Sequence, residues 1–202
     1  MKKIIITLSL LLFAFGSASA GIHHFTPNPA DMYDLDHGHY YGWGIDHDFG
    51  TEKISEVILT FKHINNWDND PNMLFINMMD QMDAGVFLGW EDYAVGSYGE
   101  IINYYDGQGV EVAQWTDADG GDNGNWEDVT FSFSTMGNNL LENFSAYAAD
   151  GNFGFGFDPD CHFWNDGIEL TVITDTPEPT TMLLFALGLV GGAVRKKFKH
   201  KA

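Results

Sequence analysis

Between residues 40 and 175 apolar side chains return at every second position in short runs, a period that restricts those runs to β-strands. Val57, Leu59 and Phe61 alternate with Glu56, Thr60 and Lys62, and Val129, Phe131 and Phe133 with Thr130, Ser132 and Ser134. Ile168, Leu170 and Val172 alternate with Glu169 and Thr171, Phe153, Phe155 and Phe157 with Gly154 and Gly156, and residues 110–115 repeat the pattern. Shorter apolar stretches at 86–88 and 101–105 read as further strands. Residues 66–72, Asn-Trp-Asp-Asn-Asp-Pro-Asn, read as a turn and predict a hairpin returning through 73–79. Residues 21–38 break any period, and only 140–149 suggests a helix, with Asn138 or Asn139 as its cap. Short strands without βα alternation or internal repeats predict an all-β chain: an antiparallel β-sandwich, jelly-roll-like, with one short helix.

Both ends depart from this pattern. Lys2 and Lys3 precede an apolar run at 4–15, and Ala18 and Ala20 place small residues where a signal peptidase reads, so residues 1–20 are expected to be a signal peptide cut after Ala20. At the other end Pro177, Glu178 and Pro179 precede an uncharged stretch at 182–194 and the basic cluster Arg195, Lys196, Lys197, Lys199 and Lys201. A helix over that stretch would be a short transmembrane segment, marginal against a ~30 Å hydrocarbon core, with its basic end held on the cytoplasmic side. Three parts follow: signal peptide 1–20, an acidic β-sandwich domain 21–176, and a tail 177–202.

The tail resembles the PEP-CTERM sorting signal of Gram-negative bacteria. The resemblance implies recognition by an exosortase and transient residence in the inner membrane. It also implies C-terminal processing and delivery to the cell surface or beyond, commonly alongside exopolysaccharide. Residues 46–80 and 155–167 also resemble β-sandwich domains carried by other proteins with this signal, a likeness that names no function.

All 29 carboxylates follow residue 20 and only Glu178 lies beyond 176, which leaves 28 in the body against Lys53 and Lys62, a net charge near −26. Nucleic acid is thereby excluded as a partner, because phosphate contacts need Lys and Arg. Such charge either collects divalent cations or keeps an exported domain soluble. Aromatic residues make up 15% of the chain, too many for a disordered polyanion. Cys161 is the sole cysteine, so the fold has no internal disulfide, and the thiol is expected to be buried.

Asp117, Asp119, Asp122, Asn123, Asn125 and Asp128 form the first candidate calcium loop, with the oxygen donors but not the spacing of an EF-hand. Asp68, Asn69, Asp70 and Asn72 offer a tighter alternative, and Asp158 and Asp160, flanking Pro159, another. Trp164 in the same stretch is a candidate sugar-stacking face, as are the other tryptophans unless the core takes them. His37, His39 and His47 among Asp36, Asp46 and Asp48 could hold a transition metal, although polar side chains simply facing water explain them as well. No catalytic motif is visible. The expected role is a non-catalytic, exosortase-processed surface or matrix protein associated with exopolysaccharide or biofilm, with calcium as a stabiliser. A carbohydrate-binding module is the alternative, and a secreted polysaccharide hydrolase comes third.

Overall fold

A computed structural model describes residues 20–90, 103–118, 120–121 and 124–175. Ile22–Gly50 and Ile54–Thr174 form the body; a second unit, Met1–Gly21 with Thr51–Lys53 and Asp175–Ala202, lies largely outside the described residues. The strands are β1 (Ala20–Phe25), β2 (His39–Asp46), β3 (Lys53–Asn66), β4 (Asn72–Met79), β5 (Gly85–Trp90), β6 (Val110–Asp117), β7 (Glu127–Ser132), β8 (Asn152–Pro159), β9 (Phe163–Trp164) and β10 (Gly167–Asp175). One sheet runs β1-β10-β3-β7 with β9 also on β3, and the other runs β5-β2-β8-β4-β6. With β5 and β9 set aside, the chain changes sheet at every step except β4 to β6. That path gives two four-stranded sheets, the expected jelly roll.

The alternating runs supply the inner faces. Val57, Leu59, Phe61 and Ile64 of β3 and Ile168, Leu170 and Val172 of β10 are buried, as are Phe153, Phe155 and Phe157 of β8. Each buried side chain of this size contributes about 1.5–3 kcal/mol. The helix α1 (Leu140–Tyr147) adds Leu140 and Phe144, and Phe144 meets Phe153 and Phe133 at 5.0 and 6.0 Å between ring centroids. Asn139 holds the cap position in a left-handed conformation (φ 55°) and makes no side-chain capping bond, so the expected cap is positional only.

Three sequence expectations need correction. Residues 73–79 do not return as a hairpin: β4 pairs with β6 and β8, so the turn after β3 carries the chain to the opposite sheet. Residues 20–25 form a strand with inverted polarity: Ile22 is 61% exposed, while His23 turns to Phe49 and His47 at centroid distances of 5.1 and 4.9 Å. Tyr104 and Tyr105 lie in a turn, closed by Asp106 N–H on the Asn103 carbonyl at 3.0 Å and Gln108 N–H on the Tyr105 carbonyl at 2.8 Å. This turn covers the outer face of the second sheet. Tyr105 donates its hydroxyl to the Tyr41 carbonyl at 2.8 Å, and the Asn77 amide reaches the carbonyls of Tyr105 and Gln108, each at 3.2 Å. Gly156 makes room for it, since a Cβ there would stand 2.7 Å from the Tyr105 ring.

Candidate functional site

Past Phe61 the register of β3 against β7 shifts, and His63 takes a left-handed conformation (φ 49°) at the irregularity. Beyond it Ile64 pairs with Glu127 of β7 and Asn65 with Trp164 of β9. Trp126, just before β7, and Trp164 therefore come from opposite flanks of β3. Their rings lie 5.7 Å apart and within 8° of parallel, an offset stack, and Trp126 is 38% exposed. His63 lies 4.9 Å from the Trp126 ring and His162 5.6 Å from the Trp164 ring. The two indoles, with Asp34, Asn165 and Asp166, line a surface groove of about 350 Å³.

The polar wall of the groove is held from behind. Asn165 is buried; its amide donates to the Asp31 carbonyl at 3.0 Å and its Oδ1 accepts from Gly167 N–H at 3.0 Å. Asp166 lies 2.9 Å from His63 Nδ1, and Asp128 accepts from His63 N–H at 2.8 Å. Asp34 belongs to a left-handed turn in which Met32, Tyr33, Asp34 and Leu35 have φ between 38° and 63°. For residues with a Cβ this conformation costs about 1–2 kcal/mol apiece. Burial of Met32 and Leu35 offsets the strain, together with Phe163 N–H on the Leu35 carbonyl at 3.3 Å. Asp34 was not singled out by sequence reasoning, because 131 positions separate it from the Asn165 N–H it accepts at 3.4 Å. Trp126 was legible only as one tryptophan among six.

The calcium candidates are distributed as follows. Asp119, Asp122 and Asn123 lie outside the described residues. Asp117 is buried and accepts from Asn66 N–H at 2.9 Å, while Asp128, on the far side of the loop, is the partner of His63. Asn125 is exposed. The 66–72 turn packs against this loop: Gly121 N–H meets the Asn66 carbonyl at 2.7 Å, and a Cβ on Gly120 would stand 2.4 Å from the Asp68 carbonyl. Asp68 Oδ1 already accepts from Asp70 N–H at 2.9 Å and the Asn72 amide at 2.8 Å. Asp158 and Asp160 serve different segments, Asp158 accepting from Tyr104 N–H at 2.5 Å and Asp160 from Met73 N–H at 2.6 Å. Burial, with Asp68 nearby, lifts the Asp160 carboxyl to about 6. Among the described residues no group of three or more His, Cys, Asp or Glu is arranged to hold a metal ion.

The histidines have separate neighbours. His37 Nδ1 meets Asp36 at 2.9 Å, His39 lies 3.9 Å from the Trp90 ring, and His47 lies 4.6 Å from Phe49. Cys161 is buried, which raises its thiol pKa. A second groove of about 450 Å³ runs beside Tyr40 and Tyr104, whose rings stack at 3.5 Å; among the described residues its lining holds one carboxylate, Asp83, and no indole.

Ala18, Pro177, Glu178, Pro179 and the stretch 182–194 lie outside the described residues, and Ala20 opens β1. Residues 175–197 match the family model of the PEP-CTERM protein-sorting motif. The match begins at Asp175, the last residue of β10, and contains Pro177, Glu178 and Pro179. Such a motif indicates an exosortase-targeted, exported protein that is processed at a membrane on the way to the cell surface. No curated protein matches it. Among solved structures, a recombinantly expressed latent aurone synthase (polyphenol oxidase) is similar at 13% identity and a TM-score of 0.37. That match covers 72% of this chain and 26% of the other, so this chain spans about a quarter of that protein, and the likeness carries no functional argument.

Proposed function

We propose that this chain, a bearer of the PEP-CTERM sorting motif, is a non-catalytic glycan-binding protein of the extracellular polysaccharide or biofilm matrix. The observation that carries the reading is the exposed Trp126–Trp164 stack. Indole faces bury the C–H faces of sugar rings at low entropic cost, while neighbouring amides and carboxylates accept from hydroxyls. Asp34, Asn165 and Asp166 stand beside the rings in that capacity. In this reading a signal peptidase cuts after Ala20, exosortase removes the tail, and the jelly roll is left to meet the matrix.

Affinity electrophoresis through gels cast with soluble polysaccharides tests the proposal. The purified body is expected to be retarded by at least one of them, and replacing both tryptophans (W126A with W164A) is expected to restore free migration. Unretarded migration through every polysaccharide would overturn it.

Calcium enters as a stabiliser. The reading is supported by the acidic loops near Asp68, Asp117 and Asp160 and by Asn65, a fully buried side chain whose Oδ1 has no hydrogen-bond partner among the described residues. Carboxylate, amide and carbonyl oxygens are the ligands that calcium takes.

A further inference from the structure

The glycan-binding reading leaves the class of polysaccharide open, and the charge around the indoles narrows it. Among the described residues, two carboxylates, Asp34 and Asp166, line the groove, and no Lys or Arg does. Residues 21–176 contain only Lys53 and Lys62, and the Lys62 ammonium is held 2.6 Å from Glu169. Among the described residues the bases beside the rings are His63 and His162, and each already lies against a carboxylate, Asp166 at 2.9 Å and Asp36 at 3.0 Å. A net charge near −26 on the body repels polymers that carry uronate, sulfate or pyruvyl ketal groups at longer range. A protonated amine has the opposite fit. It pairs with carboxylates and is attracted to the face of an indole within about 6 Å. The groove offers both partners, and the left-handed turn at 32–35 fixes one of the carboxylates at some conformational cost.

We infer that the groove takes a polysaccharide carrying free amino groups, such as a partly de-N-acetylated glucosamine polymer, with a sugar face on Trp126 and Trp164 and its ammonium between Asp34 and Asp166. The inference rests on the glycan-binding reading and names its ligand class.

The test is calorimetric titration of the purified body, in chelator so that no divalent cation bridges the partners, at a pH where the amine is protonated. The titrants are chitosan oligomers, fully N-acetylated oligomers of the same length, and neutral and uronate-containing oligomers. Chitosan oligomers are expected to bind about tenfold or more tighter than their acetylated counterparts, with the preference weakening as salt is added. The double variant D34N with D166N is expected to bind both equally. Because the body is so acidic, unspecific attraction must be separated from site binding. W126A with W164A keeps the net charge, and its binding of chitosan is expected to fall at least tenfold while its melting transition stays cooperative. Undiminished chitosan binding by the tryptophan variant would overturn the inference as mere charge attraction. Equal affinity of the wild type for neutral and amino oligomers would overturn it while leaving the glycan-binding reading standing. Absence of binding to every oligomer would overturn both.

Discussion

Asp160 shows how one side chain makes stability depend on pH. Its folded-state pKa of about 6 lies above the ordinary 3.8, through burial and the nearby Asp68 charge. The folded state thus holds this proton more tightly than the unfolded chain does. Its contribution improves as pH falls from about 6 toward 4 and is least favourable above 6. Asp160→Asn keeps an oxygen for Met73 N–H and removes the charge. Because the group is half-exposed, the expected gain near neutral pH is held to about 1 kcal/mol. Urea unfolding of wild type and variant should show curves that converge in acid and separate above pH 6. Parallel profiles would contradict this. The residue scale is also where the sequence is least legible. Trp164 stood out in its stretch, yet its neighbours Asp34 and Trp126 are assembled by an irregularity in β3 and a left-handed turn that no local pattern announces.

At the scale of elements, the strands were readable from their apolar runs, and the layer that covers the second sheet was not. β3 keeps its alternation as far as Phe61, with Glu56, Thr60 and Lys62 on the wetter face, and β10 does so with Glu169 and Thr171. β4 and β8 are buried almost continuously, because the turn at 103–108 lies over their outer face. The hairpin expected at 73–79 followed from the turn at 66–72, which instead carries the chain to the opposite sheet, and the Phe-Gly alternation in β8 concealed a seat for Tyr105. Gly156→Val should push the Tyr105 ring out and destabilise the fold by about 1–3 kcal/mol, as overpacking does. Denaturant melts check this, with Tyr105→Phe as a milder companion that loses its bond to the Tyr41 carbonyl, worth about 1 kcal/mol. In α1, Phe144→Ala should cost about 3–5 kcal/mol, since the ring is fully buried against Phe133 and Phe153. A loss below 1 kcal/mol on the same melts would mean the helix does not close the core.

For the whole molecule, charge and sorting tail act together. A body near −26 has few attractive contacts with anionic lipid or nucleic acid, which suits a domain released outside the cell. If calcium stabilises the fold, millimolar calcium should raise the melting temperature more than sodium chloride of equal ionic strength, and chelator should reverse the gain. Equal effects of the two salts would remove calcium from the account. Deleting residues 177–202 should abolish exosortase-dependent delivery while leaving the jelly roll folded, because the matched motif starts where β10 ends. Intact mass spectrometry of the mature protein, recovered from a host that contains the exosortase, bears on the export claim directly. The expected mass lacks residues 1–20 and the basic segment that begins at Arg195. A mature product still carrying Arg195 to Lys201 and still resident in the inner membrane would contradict it.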